Sequence, residues 1–193
     1  MKELKFVHIT KTAGSSIEKC ALKKGILWGA FDPIYKEKVG FWHKPPEDLL
    51  NEYDLFCVIR NPYSRCLSEF YCNFNGIKKK VKINKKKFNI LIRDKILNNR
   101  SYYHWTPQYE YIKSVKHILH FENLKEEFSN LMKLYNLPVV LNQKLNKSSK
   151  IYGIKDFDSE TISLIQEIYN LDFALGYSKE ILGKKLQKSI KFL

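Results

Sequence analysis

The sequence predicts an α/β domain in which helices flank a central, mainly parallel sheet. Apolar, β-prone stretches at residues 4–10, 55–59 and 116–121 alternate with stretches of helical periodicity. The middle stretch, LFCVI, is apolar throughout, which is typical of a strand buried on both faces of a parallel sheet. At 193 residues the chain can bury one good core, so we expect a single domain over residues 1–193.

The helices are located by apolar spacing and by breakers. Helical patterns cover residues 16–24, 46–53, 64–74, 124–135 and 159–177. Gly25 ends the first of these, while Pro46 and Pro62 suit the first position of a helix. The remaining long segments are interpreted as a lysine-rich insertion (76–100), a polar loop (141–153) and a basic C-terminal tail (179–193).

The four cysteines favour reduced core thiols over disulfides or a zinc site. Cys20, Cys57, Cys66 and Cys72 form no C-x-x-C motif, and three of the four lie in apolar patterns. Cys66 and Cys72 are six residues apart, which is a poor helical spacing for a shared metal. We therefore expect no metal site.

The charge of the chain is strongly basic, with 34 Lys and Arg against 20 Asp and Glu and a formal net charge of +14. Such a charge is consistent with a polyanionic partner. All but four of the basic residues are lysines, however, and with the abundant Asn and Ile this is what an AT-rich genome encodes. The cluster at residues 78–87, KKKVKINKKK, fits either a flexible charged loop or a polyanion-binding arm.

The location in the cell is predicted from two absences in the sequence. The sequence contains no run of about 18 apolar residues, which a transmembrane helix would require. The N-terminal MKELKFVHIT lacks the basic-then-apolar order of a signal peptide. We therefore expect a cytoplasmic protein.

The first predicted strand leads into a loop that suits an anion. The loop KTAGSS contains Lys11, Thr12, Ala13, Gly14, Ser15 and Ser16, and the helix follows directly. Unpaired N–H groups and the helix dipole attract an anion there, and lysine and hydroxyl groups add donors. The ATPase loop G-x-x-x-x-G-K-[ST] is absent, because Lys11 precedes the glycine. The alternative is an ordinary strand followed by a capped helix with a solvated lysine.

The second predicted strand ends in another cationic group, Arg60. Ser64 and Ser68 follow on the next helix, so the arginine and these hydroxyl groups can hold a second phosphate through charge and hydrogen bonds. An NTPase usually has a magnesium-binding Asp at the end of this strand. The arginine therefore favours a metal-free site for a heavily anionic ligand.

These two motifs resemble those of the sulfotransferases that use 3′-phosphoadenosine-5′-phosphosulfate (PAPS), most closely the carbohydrate branch and its bacterial relatives. FVHITKTAGSSIE (residues 6–18) resembles the family's 5′-phosphosulfate loop, and VIRNPYSRCLSEFY (58–71) its 3′-phosphate motif. Weaker similarities cover most of the chain: FWHKPP (41–46), HWTPQ (104–108), HFENLKEEF (120–128), LNKSS (145–149) and IYNLDFALGY (168–177). Thr10 departs from the family's common proline before the lysine.

The resemblance implies a P-loop-like three-layer domain and specific roles. Lys11 and residues 12–16 would surround the 5′-phosphosulfate, while Arg60 and Ser68 would hold the 3′-phosphate. Lys147 and Ser148 would close over the nucleotide. PAPS is then the co-substrate, no metal is needed, and the acceptor is expected to be a hydroxyl on a saccharide.

The catalytic base implied by the resemblance is His43, and an imidazole has a suitable pKa at neutral pH. His104 is the rival base, although HWTPQ also fits packing or acceptor binding, and His8 is expected to be a core residue.

Three other functions stay open. The chain could be a nucleotide or small-molecule kinase, a basic nucleic-acid-binding module, or a family member that binds nucleotide without turnover. We consider nucleic acid the less favoured partner.

Overall fold

The computed structural model describes residues 1–39, 41–44, 52–72, 83–98, 103–113, 115–141 and 151–181. Contacts divide the chain into two compact units. Unit 1 comprises Met1–Arg60 and Glu110–Lys147, and unit 2 comprises Asn61–Tyr109 and Ser148–Leu193. Each unit has its own hydrophobic core, and the single domain over residues 1–193 stays a prediction.

Unit 1 is built on a three-stranded parallel sheet. Its strands are β1 (Leu4–Val7), β2 (Asp54–Ile59) and β3 (His117–His120), in the order β1-β2-β3. Every residue of β1 and β2 is buried, as the apolar stretches predict. β1 is shorter than predicted, and Ile9 N–H already turns back to the carbonyl of Val7 at 3.2 Å. The prediction of an α/β fold with a parallel sheet is confirmed.

Helices and aromatic rings complete unit 1. Its helices are α1 (Gly14–Leu22) and α5 (Leu124–Leu134). Between α1 and β2 the chain contains a 3-10 turn (Gly29–Phe31) and a π-helical turn (Tyr35–Val39). Phe6 of β1 and Phe56 of β2 pack with ring centroids 4.9 Å apart, and the buried Trp28 donates its indole N–H to the carbonyl of Leu4. The contact of Trp28 with Leu4 holds the segment after α1 against β1.

Unit 2 is helical in its described part. Its helices are α2 (Pro62–Phe70), α3 (Lys85–Asn98), α6 (Ser159–Ile168) and α7 (Asn170–Phe173), and α4 (Tyr109–Ile112) lies where the chain passes back into unit 1. Pro62 occupies the first turn of α2, as predicted, and Asn61 caps the helix by accepting from the N–H groups of Tyr63 and Ser64. α2 ends earlier than predicted, at Phe70.

One helix was not predicted from the sequence, and the prediction of one long helix is wrong. The lysine-rich insertion contains the 14-residue helix α3, which buries Phe88, Ile92 and Ile96 at helical spacing. The predicted long helix from residue 159 is two helices, because the chain turns at Tyr169. The predicted helix from Pro46 falls almost entirely outside the described residues, as do most of the polar loop and most of the C-terminal tail. None of the described helices is long and apolar enough to cross a membrane.

Candidate functional site

The loop after β1 has a strained backbone and ends in a helix whose N-terminus no described side chain caps. Lys11 and Ala13 have positive φ angles of 62° and 81°, which non-glycine residues rarely adopt. Ala13 is the N-cap of α1, and its carbonyl accepts from the N–H groups of Ser16 and Ile17. The strain and the uncapped helix start fit an anion as the ligand of this loop.

The buried side chains of Thr12 and His8 contact the loop and fix its conformation. Thr12 is fully buried, and its hydroxyl donates to the carbonyl of Ile9 at 2.8 Å. Gly14 lies directly on the ring of His8, so a Cβ there would sit 2.2 Å from the His8 Nε2 atom. The glycine is thus required by its contact with His8 within the protein.

His8 belongs to a buried hydrogen-bond network that the sequence did not reveal. Its Nδ1 lies 2.7 Å from Oε1 of Glu18 on α1, and both side chains are buried. The same Glu18 oxygen accepts from the N–H of Ala30 at 2.9 Å. Gly29 has no room for a side chain, because a Cβ would collide with this carboxylate. The network ties β1, α1 and the following turn together around the loop.

His43 also packs against His8. Their ring centroids are 4.4 Å apart in an edge-to-face arrangement. Phe41 and Trp42 also contact the His43 ring, with centroids 5.3 and 5.2 Å away. The ring of His8 therefore bridges His43 and Gly14, which places His43 one side chain away from the loop.

Arg60 lies beside Lys11, as the parallel pairing of β1 and β2 requires. Its Nη1 donates to the carbonyl of Lys11 at 3.1 Å, and its guanidinium stands 4.1 Å from the ring centre of Phe121. Arg60 and Lys11 are both half-buried. Two predicted cationic residues are thus brought to one edge of the sheet.

The other predicted ligand residues differ in burial and in the element that carries them. Ser15 is exposed and Ser16 is buried in the first turn of α1. Ser68 is half-buried on α2, in unit 2. Lys147 and Ser148 lie outside the described residues. The structure therefore brings together Lys11, residues 12–16, Arg60 and His43 within unit 1.

A second buried histidine–glutamate pair lies in unit 2. His104 Nδ1 is 2.8 Å from Oε2 of Glu69, and the thiol of Cys72 lies beside them. Burial lowers the pKa of His104, but hydrogen bonds and charge interactions with Cys72 and Glu69 outweigh it and raise that pKa to about 9. The sequence signal that could have located this cluster is the i, i+3 spacing of Glu69 and Cys72.

The comparisons with known proteins agree with the motifs. The family model described as the sulfotransferase family matches residues 2–177. Neither the search of curated proteins nor the search of solved structures found a match.

Proposed function

The chain belongs to the sulfotransferase family, and we propose that it transfers the sulfuryl group of PAPS to a hydroxyl of a carbohydrate acceptor. The observation that supports this most directly is the contact between Arg60 and the carbonyl of Lys11 at 3.1 Å. It joins the ends of two neighbouring parallel strands, where ligands of such sheets bind. One nucleotide with two anionic ends can then meet both cations.

The residues of the loop fit the anionic donor. No described side chain caps the start of α1, where N–H groups and the helix dipole favour an anion, and Lys11 adds a positive charge. Lys11 and residues 12–16 would hold the 5′-phosphosulfate, with Thr12 acting through its backbone because its hydroxyl is donated to Ile9. The donor, when bound, supplies the sulfuryl group and a stable phosphate leaving group.

A second set of residues would hold the other end of the nucleotide. Arg60 offers a planar set of donors suited to phosphate, and we propose that Ser68 joins it on the 3′-phosphate. We propose that Lys147 and Ser148 close over the nucleotide. Because β2 ends in arginine where magnesium-dependent enzymes have an acidic residue, transfer is proposed to need no catalytic metal.

His43 is the proposed base that takes the proton of the attacking hydroxyl. It is half-buried and packs on His8, which in turn contacts the loop. His104 is a poorer candidate, because a pKa of about 9 keeps its ring protonated at neutral pH. Trp42, half-buried beside His43, supports a saccharide acceptor because indole rings stack on sugar faces.

The test combines nucleotide binding with turnover. The nucleotide product of transfer, 3′-phosphoadenosine-5′-phosphate (PAP), should raise the melting temperature without metal, whereas ATP with Mg²⁺ should not. With radiolabelled PAPS and a glycan panel, Lys11→Ala should lower kcat by about 100-fold or more. Arg60→Ala should weaken PAP binding by about 100-fold. His43→Ala should abolish turnover and leave PAP affinity unchanged.

The rival functions give different results in the same assays. A kinase would be stabilised by ATP with Mg²⁺ and not by PAP. A nucleic-acid-binding module would bind oligonucleotides in a steeply salt-dependent manner, and Lys11→Ala would not matter. A member without turnover would bind PAP normally and transfer no label to any acceptor. Full turnover by His43→Ala would refute the assignment of the base.

A further inference from the structure

The buried cluster of Glu69, Cys72 and His104 in unit 2 has the chemistry of a metal site. One carboxylate oxygen, the Cys72 sulfur and one His104 ring nitrogen all lie within 4.8 Å of one another. The three residues are only 1%, 6% and 7% exposed. A carboxylate oxygen, a sulfur and an imidazole nitrogen this close together can ligate one cation between them.

The backbone around the cluster is held rigid by its own contacts. Glu69 lies in the last turn of α2, and Cys72 lies two residues beyond its end, where the N–H of Cys72 donates to the carbonyl of Glu69 at 2.9 Å. Arg65, one turn before Glu69, donates to the carbonyls of His104 and Thr106 at 3.1 and 2.9 Å. The helix that carries Glu69 and leads into Cys72 therefore also anchors the segment that carries His104.

We propose that Glu69, Cys72 and His104 bind one Zn²⁺ ion, which ties the end of α2 to the His104 segment. One oxygen, one sulfur and one nitrogen ligand suit zinc, whereas the thiolate disfavours magnesium and calcium. Tetrahedral zinc needs its ligand atoms about 3.5 Å apart, so only small side-chain adjustments are required. Three protein ligands leave the fourth position to water.

The proposal is independent of the sulfotransferase reaction and is tested on the full chain. Purified, reduced protein is stripped with a chelator and titrated with Zn²⁺ against a chromophoric competitor. We expect one site and a higher melting temperature with zinc. Co²⁺ should give the thiolate-to-cobalt charge-transfer band.

Matched variants assign the site. Cys72→Ser and Glu69→Gln should each weaken zinc binding by about 100-fold or more. Cys66→Ser is the control, because Cys66 is buried on the same helix outside the cluster and should change nothing. If Cys72→Ser fails to fold, the zinc affinity of the isosteric variant Glu69→Gln is used as the test. The proposal is overturned if the wild type binds no zinc, if Cys72→Ser or Glu69→Gln binds it like the wild type, or if Cys66→Ser loses it.

Discussion

Each unit contains a buried histidine–glutamate pair, and the two pairs differ in the group that completes them. His8 Nδ1 lies 2.7 Å from Glu18, and a backbone N–H from Ala30 also donates to that carboxylate. His104 Nδ1 lies 2.8 Å from Glu69, and a thiol is its third neighbour. The same contact therefore forms a rigid support beneath a loop in unit 1 and a proton-holding cluster in unit 2.

The largest difference between the pairs should be seen when each glutamate is replaced by leucine. Glu69→Leu leaves a buried, protonated His104 without its anion, which should lower the free energy of unfolding by about 3–5 kcal/mol near pH 6. Glu18→Leu leaves His8 and the Ala30 N–H without their acceptor, at about 1–3 kcal/mol. Urea denaturation in chelator measures both. Equal losses of unfolding free energy in the two variants would show that the third group, the Ala30 N–H in one pair and the Cys72 thiol in the other, makes no difference.

The contact between His8 and the loop should be revealed by Gly14→Ala. The new Cβ meets the His8 ring, so we expect a loss of about 1–3 kcal/mol and weaker PAP binding. His8→Ala in the same chain removes the ring and should restore part of both. The control is Gly25→Ala, where φ is +73° but the space is open. It should cost about 1 kcal/mol, and His8→Ala should not rescue it. Equal behaviour of the two glycines would rule out the His8 contact as the cause.

The parts of this structure that the sequence predicted are those with local signals. β2 is apolar from Leu55 to Ile59, and Arg60 follows its end, so the strand and its cationic terminus could be located without coordinates. The loop could be located because Lys11 and Gly14 stand between a strand pattern and a helix pattern. Parallel pairing then puts Lys11 and Arg60 at one edge, as the structure shows.

The parts that were missed depend on tertiary contacts or on a misleading composition. His8 and Glu18 are ten residues apart on different elements, so only the packing of α1 on the sheet makes them partners. α3 was hidden because its many lysines outweighed the helical spacing of its buried residues. The cysteines were compared with each other, whereas the relevant neighbours of Cys72 are a glutamate and a histidine.

The charge of the His104 pair should appear in the pH dependence of stability. The pKa of His104 is about 9 in the folded protein and near 6.5 when unfolded, so its stabilisation is complete below pH 6.5 and is lost as pH rises through 9. In chelator, the stability difference between wild type and His104→Gln should therefore shrink from pH 6 to pH 9.5. The pKa of His117 is lowered by burial and by Lys116, so His117→Gln should show no such loss in this range. A constant difference for His104→Gln would contradict a charged pair.

The smallest effect is expected at Thr12, where a substitution tests whether the hydroxyl supports the loop or contacts the ligand. Its hydroxyl donates to the carbonyl of Ile9 and is fully buried, so Thr12→Val should lower the free energy of unfolding by about 1 kcal/mol. PAP affinity should change less than tenfold, because the backbone N–H is kept. Thr12→Ser retains the hydroxyl and should behave like the wild type in both assays. If Thr12→Val instead weakens PAP binding as strongly as Arg60→Ala, the hydroxyl contacts the nucleotide, and the loop must rearrange from its present hydrogen bond when the ligand binds.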